Sequence, residues 1–409
     1  MTAPTRANDS HGGNWRTSVA RSMADIDPVA WDRLSAAADN PFVEHAFLLL
    51  LEESHSVGGR TGWIPRHIVV HEDGALVAGV PCYVRRDSFG EYIFDWRWAE
   101  AAARFGVGYY PKITSAVPFT PATGPRLLCA AEPGTARAQA LLAALQTALL
   151  ELAQAEQASS VHVLYCQDDE ASTLARHSLH RRKSLQFHWR NDGYASFDDF
   201  LNRLRHEERK QIRRERRRVQ ESGLQVEARL GGDVDPTLWP QIFALYTSTS
   251  GRKWGRPYLT ERFFTELPRA FAERALVCTA SKDGDVVAMT LSFEKGRHIY
   301  GRYWGSSVDV PGLHFELCYY QLIERAIERG MSLVEAGAQG EHKLKRGFLP
   351  VITHSAHRML DPTFDAAVAR SLKEEAVAVD AEQAELVLHG PFKEGTAPPH
   401  PLVAGIVGL

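Results

Sequence analysis

Several common sources of function are missing from this chain of 409 residues. Its five cysteines, Cys82, Cys129, Cys166, Cys278 and Cys318, are odd in number and form no C-x-x-C pair. That excludes the usual disulfide framework and the usual structural zinc site. No window approaches ~18 uninterrupted apolar residues, so no membrane-spanning helix is expected. The stretch Met1 to Ser22 is polar and lacks the apolar core of a signal peptide. A reducing cytoplasm is therefore the expected compartment. Neither sign of charge dominates: 47 basic and 50 acidic residues leave a formal charge of −3. Such a balance excludes a general nucleic-acid coat, although it can hide a local basic patch. There is no G-x-x-x-x-G-K-[ST], no G-x-G-x-x-G after a strand, no G-x-S-x-G and no H-E-x-x-H. Nucleotide hydrolysis, Rossmann oxidoreduction, α/β-hydrolase chemistry and zincin proteolysis all lose their usual signatures. Scattered histidines and carboxylates indicate no metal site.

What is present is an α/β pattern. At about 150 residues per domain, the length predicts two or three domains. Asp27-Pro28 predicts a helix start, with Asp27 as N-cap and Pro28 in the first turn. A second helix is expected from Pro41 to Glu53. Trp63 to Val70, Ala75 to Arg85 and the aromatic Gly90 to Trp98 read as strands, the first two joined by an Asp-Gly turn. Tyr109 to Leu128 carries four prolines and reads as irregular or as a sheet edge. Ala136 to Gln157 is an Ala/Leu helix, and Val161 to Cys166 a short strand. In the second half, Phe197 to Glu221 reads as one charged helix and Pro236 to Ser250 as another. Three strands follow, Leu276 to Ser281, Val286 to Phe293 and His298 to Trp304. Then come a helix over Leu313 to Arg329 and a strand over Leu333 to Ala336. HEDGALVAGVPCYVRRDSFGEYIFDWRW and SKDGDVVAMTLSFEKGRHIYGRYW share a D-G, a V-A step and an aromatic end. They predict a duplicated unit. The expected division is a loose leader (1–22), a first α/β domain (23–190), a second (191–365) holding a basic helix at 203–218, a C-terminal helix (366–390) and a tail (391–409).

Four places could carry chemistry. Between Arg203 and Arg218 there are nine bases and three acids. Lys210, Arg213, Arg214 and Arg217 follow helical spacing, so they can line one face and hold phosphates. A solvated helix laced with Glu–Arg pairs would look the same. Lys253, Trp254 and Arg256 lie in KWGRPY, where a cation and aromatics can hold a planar or anionic group. The segment EAGAQGEHKLKRGF leaves a strand end, where α/β proteins place ligands. In it, Glu341 and His342 are candidate general bases, and Lys345 and Arg346 candidate anion or oxyanion partners. Finally Arg302, His314 and Glu316 are polar residues in packed elements, so they must be paired or functional. Asp95 in the first half raises the same question. Glu316 is a third candidate base.

Long stretches of the chain resemble a known family. They are NPFVEHAFLLLLEES, YIFDWRWAEAAARFGVGYYPKITSAVPFTPATGPRLL, LQFHWRNDGYASFDDFL, KQIRRERRRV, GRKWGRPYLT, IYGRYWG, LHFELCYYQLIERAIERG and EAGAQGEHKLKRGFLP. Together they resemble bacterial predicted N-acyltransferases of the GNAT superfamily, related to Fem-type peptidoglycan aminoacyl transferases. The resemblance implies two tandem GNAT-like domains, each a mixed, mainly antiparallel sheet flanked by helices. It implies transfer of an acyl or aminoacyl group to a primary amine on a small molecule or peptide, with links to peptidoglycan-type substrates. Fem-type enzymes take the group from aminoacyl-tRNA, ordinary GNAT enzymes from acetyl-CoA. The Arg/Gln-x-x-Gly-x-Gly/Ala loop that holds CoA is absent: RYWGSS at Arg302 to Ser307 departs at its last position. Acyl-CoA and aminoacyl-tRNA both stay open as co-substrates, and no tightly bound cofactor is expected. Lys345-Arg346-Gly347-Phe348 and the basic helix resemble the Lys-x-Gly-Phe turn and basic helix of Fem-type proteins. The alternative is a non-catalytic RNA-binding or scaffold protein that keeps the tandem fold.

Overall fold

The computed structural model describes residues 14–254, 257–337 and 340–398. Contacts divide the chain into two units. The first runs to Ser184 and takes up Thr353–Ala378; the second holds Leu185–Ile352 and the chain from Val379. The break falls inside a strand rather than at the Asn191–Gly193 turn. The C-terminal segment, expected to stand apart, is divided between the units.

In chain order the first elements are β1 (Trp15–Ala20), α1 (Pro28–Leu34), α2 (His45–Glu53), β2 (Trp63–Pro65), β3 (His67–Glu72), β4 (Ala75–Val80), β5 (Cys82–Arg85), α3 (Trp96–Arg104), β6 (Lys112–Ser115), β7 (Leu128–Cys129), α4 (Ala136–Ala155), β8 (Ser160–Cys166), α5 (Asp168–Arg176) and β9 (His180–Arg190). Asp27 caps α1 as expected, accepting from the backbone N–H of Val29 and Ala30. Leu141, Leu145, Leu149 and Leu152 follow helical spacing on α4 and are buried against the strands. Three expectations fail here. Part of the supposed leader forms β1, which pairs with β3 while Trp15 Nε1 donates to Glu72 Oε1 at 2.9 Å. The aromatic stretch Gly90 to Trp98 is not a strand; it ends in the first turn of α3. The proline-rich stretch contains β6, an interior strand with neighbours on both sides, because Pro111 and Pro118 flank it without interrupting it.

The later elements are α6 (Phe197–Arg203), α7 (His206–Glu221), β10 (Gln225–Leu230), α8 (Trp239–Trp254), α9 (Glu261–Ala270), β11 (Ala275–Lys282), β12 (Asp285–Lys295), β13 (His298–Ser306), α10 (Leu313–Phe315), α11 (Gln321–Glu328), β14 (Leu333–Glu335), β15 (Leu349–Met359) and α12 (Pro362–Leu388). The expected single helix over Phe197 to Glu221 is two helices. Leu204 leaves the helical path, buried in a bridge to Phe392, and the Arg205 backbone N–H donates to Pro391 O.

In the first unit β1, β3, β4 and β7 form one antiparallel sheet. In the other, β2, β5, β6, β8 and the 353–359 part of β15 are neighbours in that order. In the second unit the order is β10, β11, β12, β13, β14 and the 185–190 part of β9. Pairing is antiparallel except for β6 with β8 and β13 with β14, each parallel over three residues. Each parallel pair is joined across helices, α4 in one case and α10–α11 in the other. The duplicated hairpins match in detail. Asp73-Gly74 and Asp283-Gly284 both have positive φ, the geometry a two-residue hairpin turn requires. Each hairpin also shifts register at the same distance before its turn, between Val70 and His71 and between Ala280 and Ser281. The mixed, mainly antiparallel α/β class read from the sequence is the one observed.

Candidate functional site

The charged helix α7 sorts its side chains by face. Ile212, Glu215 and Val219 are buried, while Lys210, Arg213, Arg214 and Arg217 are exposed. Those four lie at i, i+3, i+4 and i+7, so they share a stripe about 10 Å long. Arg213 also pairs with Asp198 at 2.9 Å, both largely in solvent. Arg216 points inward instead: it binds Glu316 at 3.1 Å and Glu324 at 2.7 Å, with its guanidinium 4.5 Å from the Phe197 ring centre.

Behind this helix lies the turn after β14. The ladder between β13 and β14 ends at Tyr300–Glu335. A 3₁₀ turn over Glu341–Arg346 follows, closed by Gly347 at φ +89°. A side chain on Gly347 would meet the Phe200 ring at 2.7 Å, so both conformation and packing demand glycine there. A 3₁₀ turn repeats every three residues. Lys343 and Arg346 are therefore buried together, and His342 and Lys345 exposed together. Lys343 Nζ donates to the Gly337 carbonyl at 2.7 Å. Burial pulls its pKa down to about 7; Cys318 opposes the shift and the Arg302 charge adds to it. Arg346 donates to Glu215 Oε1 at 2.6 Å and to the His342 carbonyl at 2.7 Å, and lies 3.3 Å from the Phe315 ring centre. The Tyr320 hydroxyl donates to the other oxygen of Glu215.

An aromatic cluster adjoins the turn. His342 Nε2 is 2.9 Å from the Tyr319 hydroxyl. The His314 ring lies 5.2 Å from Trp304, 5.6 Å from Tyr319 and 6.2 Å from His342 between centroids. Tyr319 belongs to a π turn, Glu316–Tyr320, inserted between α10 and α11. Single π turns inside helices are frequent at functional sites. Exposed imidazole, buried low-pKa amine and π turn thus meet where β14 leaves β13. Such a site can accept a proton and can change its charge near neutral pH.

The expected residues fare differently. His342 and Lys345 are exposed on the turn, and the α7 stripe is exposed. Arg302 lies on β13, 5.4 Å from the Tyr303 ring centre. Two assignments need correcting. Glu316 is buried and accepts from Arg216 and from Gln321 at 2.8 Å, so its carboxylate is committed to an internal pair and does not face a substrate. Arg346 is buried with its fork on Glu215, so it cannot hold a ligand anion. The side chains of Glu341, Lys253 and Trp254, and all of Arg256, lie outside the described residues. Lys343, Tyr319 and Glu215 escaped sequence reasoning. The signal for Lys343 is the three-residue period, which sets it beside Arg346 rather than Lys345.

The first unit has its own buried polar cluster. Lys112 Nζ donates to Ser88 at 2.9 Å, to Glu91 at 2.7 Å and to Asp95, whose same oxygen accepts from the Tyr109 hydroxyl at 2.6 Å. That answers the question of Asp95: it is paired. Burial pushes its carboxyl up, but Lys112 overrides this and holds it below the usual range. Nearby, Ser160, His162, His357 and Ser355 form one hydrogen-bonded row, with 2.7 Å between the two Nδ1 atoms. Burial pulls His162 down to about 3 and His357 well below 6.5, so both are neutral.

Solved structures share this fold at low identity. FemX matches with TM-score 0.52 and 13% identity, over 84% of this chain and 98% of that one. The C-terminal domain of a putative lysylphosphatidylglycerol synthetase from Agrobacterium fabrum matches with TM-score 0.54 and 11% identity, over 86% and 97%. L-PGS from Bacillus licheniformis matches with TM-score 0.51 and 10% identity, over 85% and 97%. At such identities the likeness is one of fold. No curated protein sequence matches the chain. A family model, described as peptidoglycan biosynthesis/recognition, matches residues 22–394, and the chain therefore belongs to the FemAB-like family.

Proposed function

We propose that the protein is an N-acyltransferase acting in peptidoglycan-related chemistry, with a phosphate-bearing activated donor and a primary amine acceptor. The observation that carries this reading is the His342–Lys343 turn where β14 leaves β13. The acceptor amine attacks the donor carbonyl carbon and a C–N bond forms. His342, exposed and hydrogen-bonded to Tyr319, takes the proton the amine loses. The tetrahedral intermediate then collapses, the bond to the leaving oxygen or sulfur breaks, and that atom is protonated as it departs. Lys343, poised near pH 7, sets the charge around the oxyanion.

The exposed stripe Lys210, Arg213, Arg214 and Arg217 supports an aminoacyl-tRNA over acyl-CoA, because it is long and cationic rather than one phosphate cradle. The family's description supports a peptide amine of the peptidoglycan type as acceptor. The test combines transfer assays using aminoacyl-tRNAs and acetyl-CoA with tRNA affinity measured against salt. Transfer from aminoacyl-tRNA, lost in His342→Ala with tRNA affinity intact, is the expected result. Salt-dependent tRNA binding without transfer from any donor would replace this reading with an RNA-binding scaffold.

A further inference from the structure

All four exposed large aromatics among the described residues lie in one short stretch of the first unit. Phe89 is 48% exposed, Phe94 46%, Trp96 43% and Phe105 47%. Phe89 and Trp96 meet edge to face at 5.5 Å, so the exposed rings are organised. Leaving such rings in water is unfavourable by roughly 25 cal/mol per Å² of apolar surface. The backbone here is also held in an uncommon state. Tyr92 and Phe94 both have positive φ, +59° and +55°, in a region bulky side chains rarely enter. The α3 helix that follows buries Trp98 and Ala102 and turns Trp96, Arg97 and Arg104 outward. Arg86, just before the stretch, is exposed as well. Among the described residues none of Arg86, Arg97 and Arg104 forms an ion pair. The exposed acid on the helix is Glu100.

We propose that the segment Arg86–Phe105 is a membrane-surface contact that seats Phe89, Phe94 and Trp96 at the acyl–headgroup boundary of a bilayer carrying anionic lipid. Aromatic rings favour that boundary, and the unpaired guanidiniums complement anionic headgroups. No helix among the described residues is long and apolar enough to cross a membrane, so the contact is peripheral. The charge pattern favours a lipid surface over a second copy of the chain. Two identical faces would set three unpaired arginines against three others.

Vesicle flotation of the full chain tests this, using phosphatidylcholine alone and phosphatidylcholine with phosphatidylglycerol. The wild type is expected to float with the anionic vesicles and to be released as salt rises. Arg86→Gln/Arg97→Gln/Arg104→Gln is expected to lower partitioning on the order of 100-fold. Phe94→Ser/Trp96→Ser removes exposed rings and is expected to lose binding with an unchanged melting temperature and circular dichroism. Should either variant unfold, Phe94→Ser alone and Arg97→Gln alone are scored in its place. Failure of the wild type to float with either vesicle overturns the proposal. So does wild-type flotation by folded variants, or a wild-type dimer that Phe94→Ser/Trp96→Ser dissociates while vesicles remain unbound.

Discussion

Arg346 and Glu215 form a buried ion pair, with Nη2 donating to Oε1 at 2.6 Å. The pair fastens the turn after β14 to the inner face of α7. It links the residues argued to do chemistry with the helix argued to hold the donor. Breaking it leaves one buried charge uncompensated, which costs about 3–5 kcal/mol. Arg346→Met and Glu215→Leu should each destabilise the second unit by that order in chemical denaturation. Glu215→Leu/Arg346→Met should recover much of the loss, because no lone charge remains.

The exposed stripe of α7 should be separable from stability. Lys210→Ala/Arg213→Ala/Arg214→Ala/Arg217→Ala leaves the buried Ile212, Glu215 and Val219 in place. The Arg213–Asp198 pair is exposed and contributes little. Melting should change little. The slope of log tRNA affinity against log salt should flatten by about 3.

Lys343 predicts an unusual dependence of stability on pH. Its amine has an ordinary pKa of 10.5 and a folded value of about 7. Between these values the unfolded chain binds more protons, so stability rises with pH across that window. Below about 7 both states are charged and the full cost of the buried ammonium is present. Lys343→Met should therefore be more stable than the wild type at and below neutrality. The advantage should shrink as pH rises towards 10.5, in urea titrations repeated across that range.

The histidine pair predicts sensitivity to acid in the first unit. His162 and His357 are buried neutral, with His162 at about 3 against an ordinary 6.5. From about 6.5 downwards the unfolded chain takes up protons that the folded chain refuses, so stability falls with falling pH. His162→Gln/His357→Gln should reduce that slope by about two protons between pH 6 and 4. A second break is expected at Lys112→Met, which leaves Glu91 on Arg85 but strands the buried Asp95 and should cost about 3–5 kcal/mol.

Much of this was readable from local signals. Asp27-Pro28, the two Asp-Gly turns and the leucine spacing of α4 are decided within a few residues, and the sequence expectations for them hold. The stretch Gly90 to Trp98 misled because aromatic content suggests a strand. There the rings instead flank a turn with positive φ at Tyr92 and Phe94. β6 was hidden because its place inside a sheet depends on distant partners, β5 and β8. The site shows the same limit. The exposed stripe on α7 follows from helical spacing alone. That Arg346 and Glu316 are consumed internally depends on Glu215 and Arg216, 131 and 100 residues earlier in the chain. That Lys343 is buried and Lys345 exposed turns on the pitch of one 3₁₀ turn.

The most direct test of the account is acyl transfer to a peptide amine, followed for the wild type, His342→Ala and Lys343→Met with aminoacyl-tRNAs and with acetyl-CoA. The wild type is expected to transfer, with a loss of about 100-fold or more in His342→Ala and unchanged tRNA affinity in that variant. Wild-type rates in His342→Ala, or a folded wild type that transfers from neither class of donor, would contradict this mechanism.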